Sequence, residues 1–193
     1  MAMSKGLKVV LIIVVVLAVF LLMAGGWFVR NYNKVVSLDE AVSESWGQVE
    51  TQLQRRYDLV PNLVETVKGY AKHEKEVFTE ITKARAMVGS AQTIPDKIGA
   101  NNNLTSALAR LLVVVENYPD LKASQNFLNL QDELAGTENR ISVARYRYNI
   151  AAKELNEFIK GIPGVIFARI RGTNPATYFE APKEAKEAPA VKF

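Results

Sequence analysis

The chain has 193 residues, a formal net charge of +4 and no cysteine. The missing cysteines exclude disulfides, thiol catalysis, cysteine-ligated zinc and a lipoprotein anchor. Acids and bases are interleaved along the chain, which describes a solvated surface rather than a nucleic-acid footprint.

The run from Val9 to Val29 contains no charged side chain and is closed by Lys8 and Arg30. At ~1.5 Å per residue it makes a helix of about 31 Å, the thickness of a bilayer's hydrocarbon core. Lys5, Lys8, Ala24 and Gly26 also fit a cleaved signal peptide. The run is longer than a signal-peptide core and continues through Trp27, which sits where an interfacial anchor belongs; both points favour an uncleaved span. Lys8, Trp27 and Arg30 are its flanks. Lys5, Lys8 and the terminal amine on one side, against Arg30 and Lys34 on the other, lean by one charge toward a bundle outside the cytoplasm. The chain is expected to cross a membrane once.

Beyond Arg30 the periodicity is helical. Val35, Leu38, Val42, Trp46, Val49, Leu53 and Tyr57 recur at steps of three and four. Asp58 and Pro61 predict a corner, with Asp58 capping a second helix that runs to about Val88. Its two seams are Leu63, Tyr70, Val77, Ala84 and Val67, Glu74, Ile81, Val88, with Glu74 the acidic exception. Gly89 to Asn103 (GSAQTIPDKIGANNN) reads as the one long loop. Leu104, Leu108, Leu111, Val115 and Tyr118 define a third helix, and Asn117 to Asp120 a corner. The fourth helix, about Leu121 to Lys160, carries a seam from Phe127 to Phe158; its small members Thr137, Ala144 and Ala151 leave room for a large side chain such as Trp46. Gly161 to Gly164 ends it. Periodicity assigns no structure to the apolar run Val165 to Ile170, and most of the tail from Gly172 is expected to lack fixed structure. The domains so read are a basic N-terminus (1–8), a span (9–29), a helical bundle (30–164) and a C-terminal segment (165–193).

The fold class read from these elements is all-α, an antiparallel four-helix bundle with long helices preceded by one transmembrane helix. No nucleophile motif, phosphate loop or dinucleotide fingerprint is present. His73-Glu74 begins like a zinc-protease helix, but Val77 stands where the second histidine belongs, so no metal, cofactor or catalytic residue is expected, and an enzyme or metal site centred on His73 is the weakest reading. Arg55 and Arg56 have two readings, contact with anionic lipid or a partner, and salt bridges at the edge of the bundle with Glu50, Asp58, Glu138 or Glu154. Arg140, Arg145 and Arg147 are open to the same pair. Tyr178, Phe179, Val191 and Phe193 are candidate docking points in the tail.

The stretches QLQRRYDLVPNLVETVKGYAKHE (Gln52 to Glu74) and ENYPDLKASQNFLNLQDELAGTENRISVARYRYN (Glu116 to Asn149) resemble the bacterial LemA family. Tyr32-Asn33, Trp46, the YFE at Tyr178 to Glu180 and the terminal PAVKF fit as well. The resemblance implies a helical bundle on a single-pass anchor, with the short N-terminus outside the cell, opposite to the charge count. It implies no active site; some relatives are linked to specialised bacterial membranes such as that of the magnetosome. Of the residues it picks out, Tyr57, Tyr118 and Tyr148 are expected to fill the core with bonded hydroxyls, and Asn62, Asn117, Asn139 and Asn149 to satisfy backbone groups. The expected function is a non-enzymatic membrane-anchored scaffold or adaptor acting by homo-oligomerisation or by holding a protein partner. The alternative is a membrane-organising protein that contacts anionic lipid.

Overall fold

The computed structural model describes residues 5–179. Six helices follow in order: α1 Lys5–Tyr70, α2 Lys75–Ser90, α3 Ile94–Val115, α4 Pro119–Lys122, α5 Gln125–Lys160 and α6 Gly164–Arg171. Among the described residues there is no strand. Residues up to Val42 and Lys153–Ala176 form one compact unit, and Ser43–Ala152 with the residues from Thr177 form a second.

The second unit is an antiparallel four-helix bundle. Tyr57 of α1 meets Arg85 and Gly89 of α2, while Lys68 lies over Phe78, so α2 runs back along α1. Arg110 pairs with Glu80, and Tyr118, just beyond α3, bonds Glu74, so α3 reverses again. Arg55 pairs with Glu133 and Arg140 bonds Gln52, which sets α5 antiparallel to α1. The heptad positions supply the core. Val60, Leu63 and Val67 of α1, Phe78 and Ile81 of α2, Leu104, Leu108 and Leu111 of α3, and Phe127 and Leu134 of α5 are buried together. The short α4 adds Leu121 to the same cluster.

Two corners differ from those the sequence predicts. α1 does not stop at Asp58; it passes through Pro61 and ends at Tyr70. Asp58 accepts from Gln54 Nε2 one turn back at 2.9 Å instead of capping. A proline inside a helix leaves the carbonyl four residues earlier without its donor. Here that carbonyl is Tyr57's, and Arg85 Nε of α2 donates to it at 3.4 Å. The turn falls at Ala71–Glu74, and the acidic exception of the seam lies in it, accepting the Tyr118 hydroxyl at 2.9 Å. The long loop predicted from Gly89 contracts to Ala91–Thr93. Thr93 caps α3 by accepting from the Asp96 amide at 3.2 Å, with Pro95 in the first turn.

In the first unit, the large apolar side chains between Val9 and Val29 are all exposed, from 45% at Phe28 to 76% at Leu22. Farther along α1, Val35, Leu38 and Val42 are buried, as are Leu155 and Ile159 of α5 and Phe167 and Ala168 of α6. The unassigned run Val165–Ile170 is therefore helical. Gly164 begins it because nothing larger fits. A Cβ there would stand 1.9 Å from the Phe158 carbonyl oxygen. Gly172 ends it at φ 81°, the left-handed conformation that glycine adopts without strain. The Phe167 ring lies 5.6 Å from Trp27 and 5.1 Å from Phe28, so Trp27 packs on protein as well as facing outward. Asn156 grips Ala176 with both ends of its amide, donating to its carbonyl and accepting from its N–H at 2.8 Å each.

Candidate functional site

The polar centre of the bundle is built around Arg56, whose side chain is fully buried. Its Nη1 donates to Glu138 Oε1 at 2.6 Å and to Thr105 Oγ1 at 2.8 Å. Its Nη2 donates to Asn101 Oδ1 at 2.6 Å and to the Asn101 carbonyl at 3.2 Å. Of the two readings of Arg56, the salt bridge with Glu138 is present, in the core rather than at the edge of the bundle, and the buried side chain rules out the other, contact with lipid or a partner. A guanidinium enters a core where a carboxylate and neutral acceptors replace its water, and α3 and α5 provide them for Nη1 and Nη2, while Nε is buried without a partner. Arg55, its neighbour, remains at the surface, half-exposed and paired with Glu133 at 2.8 Å.

Arg145, also on α5, makes no hydrogen bond to this network, and its Nε and Nη2 are buried without partners. Burial lowers its pKa, the charge of Arg56 lowers it further, and Glu138 acts in the opposite direction. Its guanidinium lies 4.9 Å from the centre of the Phe179 ring. That ring also stacks on Trp46 at 5.9 Å and meets Tyr148 edge-on at 5.6 Å. Asn149 donates to the Phe179 carbonyl at 3.0 Å and accepts from its N–H at 2.9 Å, and the Tyr148 hydroxyl donates to Thr177 O at 2.8 Å. Phe179 is thus docked on its own bundle, whereas Tyr178 is 39% exposed. Val191 and Phe193 lie outside the described residues. Sequence periodicity marks Trp46 and Tyr148 as core positions, and Asn149, expected to satisfy backbone groups, does so on Phe179, a partner that the sequence does not name.

A groove of about 480 Å³ between α1 and α5 is lined by Gln48, Thr51, Gln52, Asn139, Arg140, Val143, Ala144 and Arg147. Next to it α5 exposes Val143, Tyr146 and Ile150, at 51%, 68% and 42%. Steps of three and four put these three on one helical face, an outward copy of the seam that faces the core. His73 is exposed in the turn before α2. Among the described residues no group of three or more His, Cys, Asp or Glu side chains is placed to hold a metal ion. The flanks of the apolar run, Lys8, Trp27 and Arg30, are all exposed.

Fold and site together define an all-helical protein with one N-terminal helix long and apolar enough to cross a membrane. The LemA family profile matches residues 45–193, and the chain belongs to the LemA family. Among its relatives, magnetosome protein MamQ 2 of Paramagnetospirillum magneticum is 28% identical over 187 residues, covering 83% of this chain and 68% of the relative. Magnetosome protein MamQ of Magnetospirillum gryphiswaldense is 26% identical with the same coverage. Protein LemA of Metamycoplasma hominis is 24% identical over 135 residues, covering 68% of this chain and 61% of the relative.

Proposed function

We propose that this protein is a non-enzymatic, membrane-anchored helical scaffold that works by self-association through the bundle. The observation that carries the reading is the outward seam of α5. Val143, Tyr146 and Ile150 stand exposed on one face beside Arg140 and Arg147, an apolar centre with a cationic rim, as helix-to-helix contacts have. The exposed run from Val9 to Val29 acts as a membrane anchor. Confinement to a bilayer raises the effective concentration of copies, so a modest lateral surface suffices. By the charge count the bundle faces away from the cytoplasm.

The first test is the mass of the full-length protein extracted in native lipid discs, by light scattering. A uniform homo-oligomer is expected. A monomer would overturn the reading, and a monomer bound to another protein would replace it with an adaptor. A second reading, organisation of a specialised membrane, draws on the relatives named as magnetosome proteins and on the exposed cations Arg30, Lys34 and Lys160 of the first unit.

A further inference from the structure

Ile166 and Ile170 share one face of α6 and are 52% and 56% exposed, while Phe167 and Ala168 on the other side are buried. Ile162, in the turn that leads into α6, is 88% exposed, the highest value of any large apolar side chain in the described residues. Three isoleucines four residues apart are thus turned away from the protein. Leaving such side chains in water forfeits the free energy that burial would return.

Contacts within the first unit fix where they lie. Phe167 packs on Trp27 and Phe28, the last aromatic residues of the apolar run. Arg171, four residues on, pairs with Asp39 at 3.0 Å. α6 therefore advances in the same direction as α1, and its beginning, with the turn Gly161–Pro163, is the end nearest the apolar run. Arg30, Lys160 and Arg169 are exposed in the same unit. Among the described residues none of the three has an acidic partner within ion-pair distance.

We propose that the turn and the first residues of α6 form a second membrane contact, meeting the interface end-on beside the span. Ile162 and Ile166 enter the outer acyl region, and Arg30, Lys160 and Arg169 meet anionic headgroups. The proposal rests on the reading of Val9–Val29 as a membrane span. A lipid surface fits better than another protein because the side chains that hold α6, Trp27 and Phe28, belong to the apolar run itself. A bilayer that takes up Val9–Val29 reaches the level of Phe167.

The chain has no cysteine, so single labels are clean. Ile162→Cys, Ile166→Cys, Leu17→Cys within the apolar run and Val113→Cys on α3 each receive a nitroxide. The full-length protein is then measured in discs of phosphatidylcholine with and without phosphatidylglycerol. At positions 162 and 166, as at 17, oxygen is expected to relax the label several-fold more than a water-soluble nickel complex does, with the reverse at 113. The labels at 162 and 166 should sit deeper in anionic discs, and Lys160→Gln with Arg169→Gln should reduce that difference, leaving the share of Arg30. Water-accessible labels at 162 and 166 with a lipid-buried label at 17 would overturn the proposal and leave the anchor standing. Labels at 162 and 166 shielded from both reagents would overturn it in favour of a protein contact. A water-accessible label at 17 would overturn the anchor itself. Equal depth in both lipids would remove the headgroup part. Ile162 is so exposed that its replacement leaves packing intact.

Discussion

A single arginine organises the interior of the bundle. Arg56 is fully buried, and Glu138 is its one carboxylate partner, itself 36% exposed. Removing one member of a buried pair costs more than the pair contributes, because the remaining charge has neither partner nor water. Glu138→Gln should therefore lower stability by about 3 kcal/mol, the lower end of the range for buried pairs because Glu138 is partly solvated. The shift of the urea midpoint of helix loss in detergent checks it. Arg56→Lys should be comparably harmful, since an ammonium cannot spread its donors over Glu138, Thr105 and Asn101 at once. Tyr118 gives a pH-dependent counterpart. Its hydrogen bond to Glu74 raises the phenol pKa above the ordinary 10.0, with burial and the Glu74 charge adding to the rise. A raised pKa means that the fold favours the neutral phenol. The contribution is complete below pH 10 and is lost as pH climbs through the raised value. Alkaline unfolding of Tyr118→Phe should accordingly lack that part of the pH dependence, and an unchanged profile would show that the bond to Glu74 contributes nothing.

At the scale of elements, Pro61 is where the local signal and the fold part. In isolation it signals a first turn, and Asp58 before it strengthens the signal. It sits inside α1 because α2 repairs the damage: Arg85 donates to the freed Tyr57 carbonyl and lies 3.9 Å over the Tyr57 ring. The two sites should therefore be coupled. Arg85→Met should destabilise the bundle when Pro61 is present and much less in a Pro61→Ala background, with a coupling of about 1 kcal/mol in a double-mutant cycle. Additive effects would refute the repair. The start of α3 departs from its local signal for a related reason. Thr93, Pro95 and Asp96 are a legible helix start, but the run Asn101 to Asn103 reads as a loop. Asn101 is 2% exposed and helical because Arg56 needs its carbonyl and its amide oxygen. The seam of α5 from Phe127 to Phe158 is legible in sequence, but the helix begins at Gln125 rather than Leu121, which belongs to the separate α4.

At the scale of the whole molecule, the anchor and the outward seam of α5 make association the property to measure. Tyr146→Glu and Val143→Glu place charges on the exposed face without touching the core. They should leave helicity and thermal unfolding nearly unchanged, since surface substitutions usually shift stability by less than about 0.5 kcal/mol. They should also reduce the mass of the particle recovered in lipid discs. If the mass stays the same while helicity is retained, the copies meet elsewhere.

What the sequence determined by itself was whatever depends on local periodicity and length. The apolar run of α1, the all-α class, the number of bundle helices and most of the core follow from side chains repeating at 3.6 residues per turn, although the turn between the first two helices falls at 71–74 and leaves Tyr70 exposed, and the family follows from long contiguous motifs. Groups whose energy depends on distant partners are placed only by the packing of the folded chain. Arg56 became an interior residue because Asn101 and Glu138 converge on it from α3 and α5. Pro61 became helical because Arg85 stood opposite, Phe179 docked because Asn149 and Trp46 received it, and α6 turned its isoleucines outward because Phe167 was claimed by Trp27 and Phe28. Polar and aromatic side chains carry either role in sequence, since their burial is favourable only when a partner far along the chain restores what water supplied.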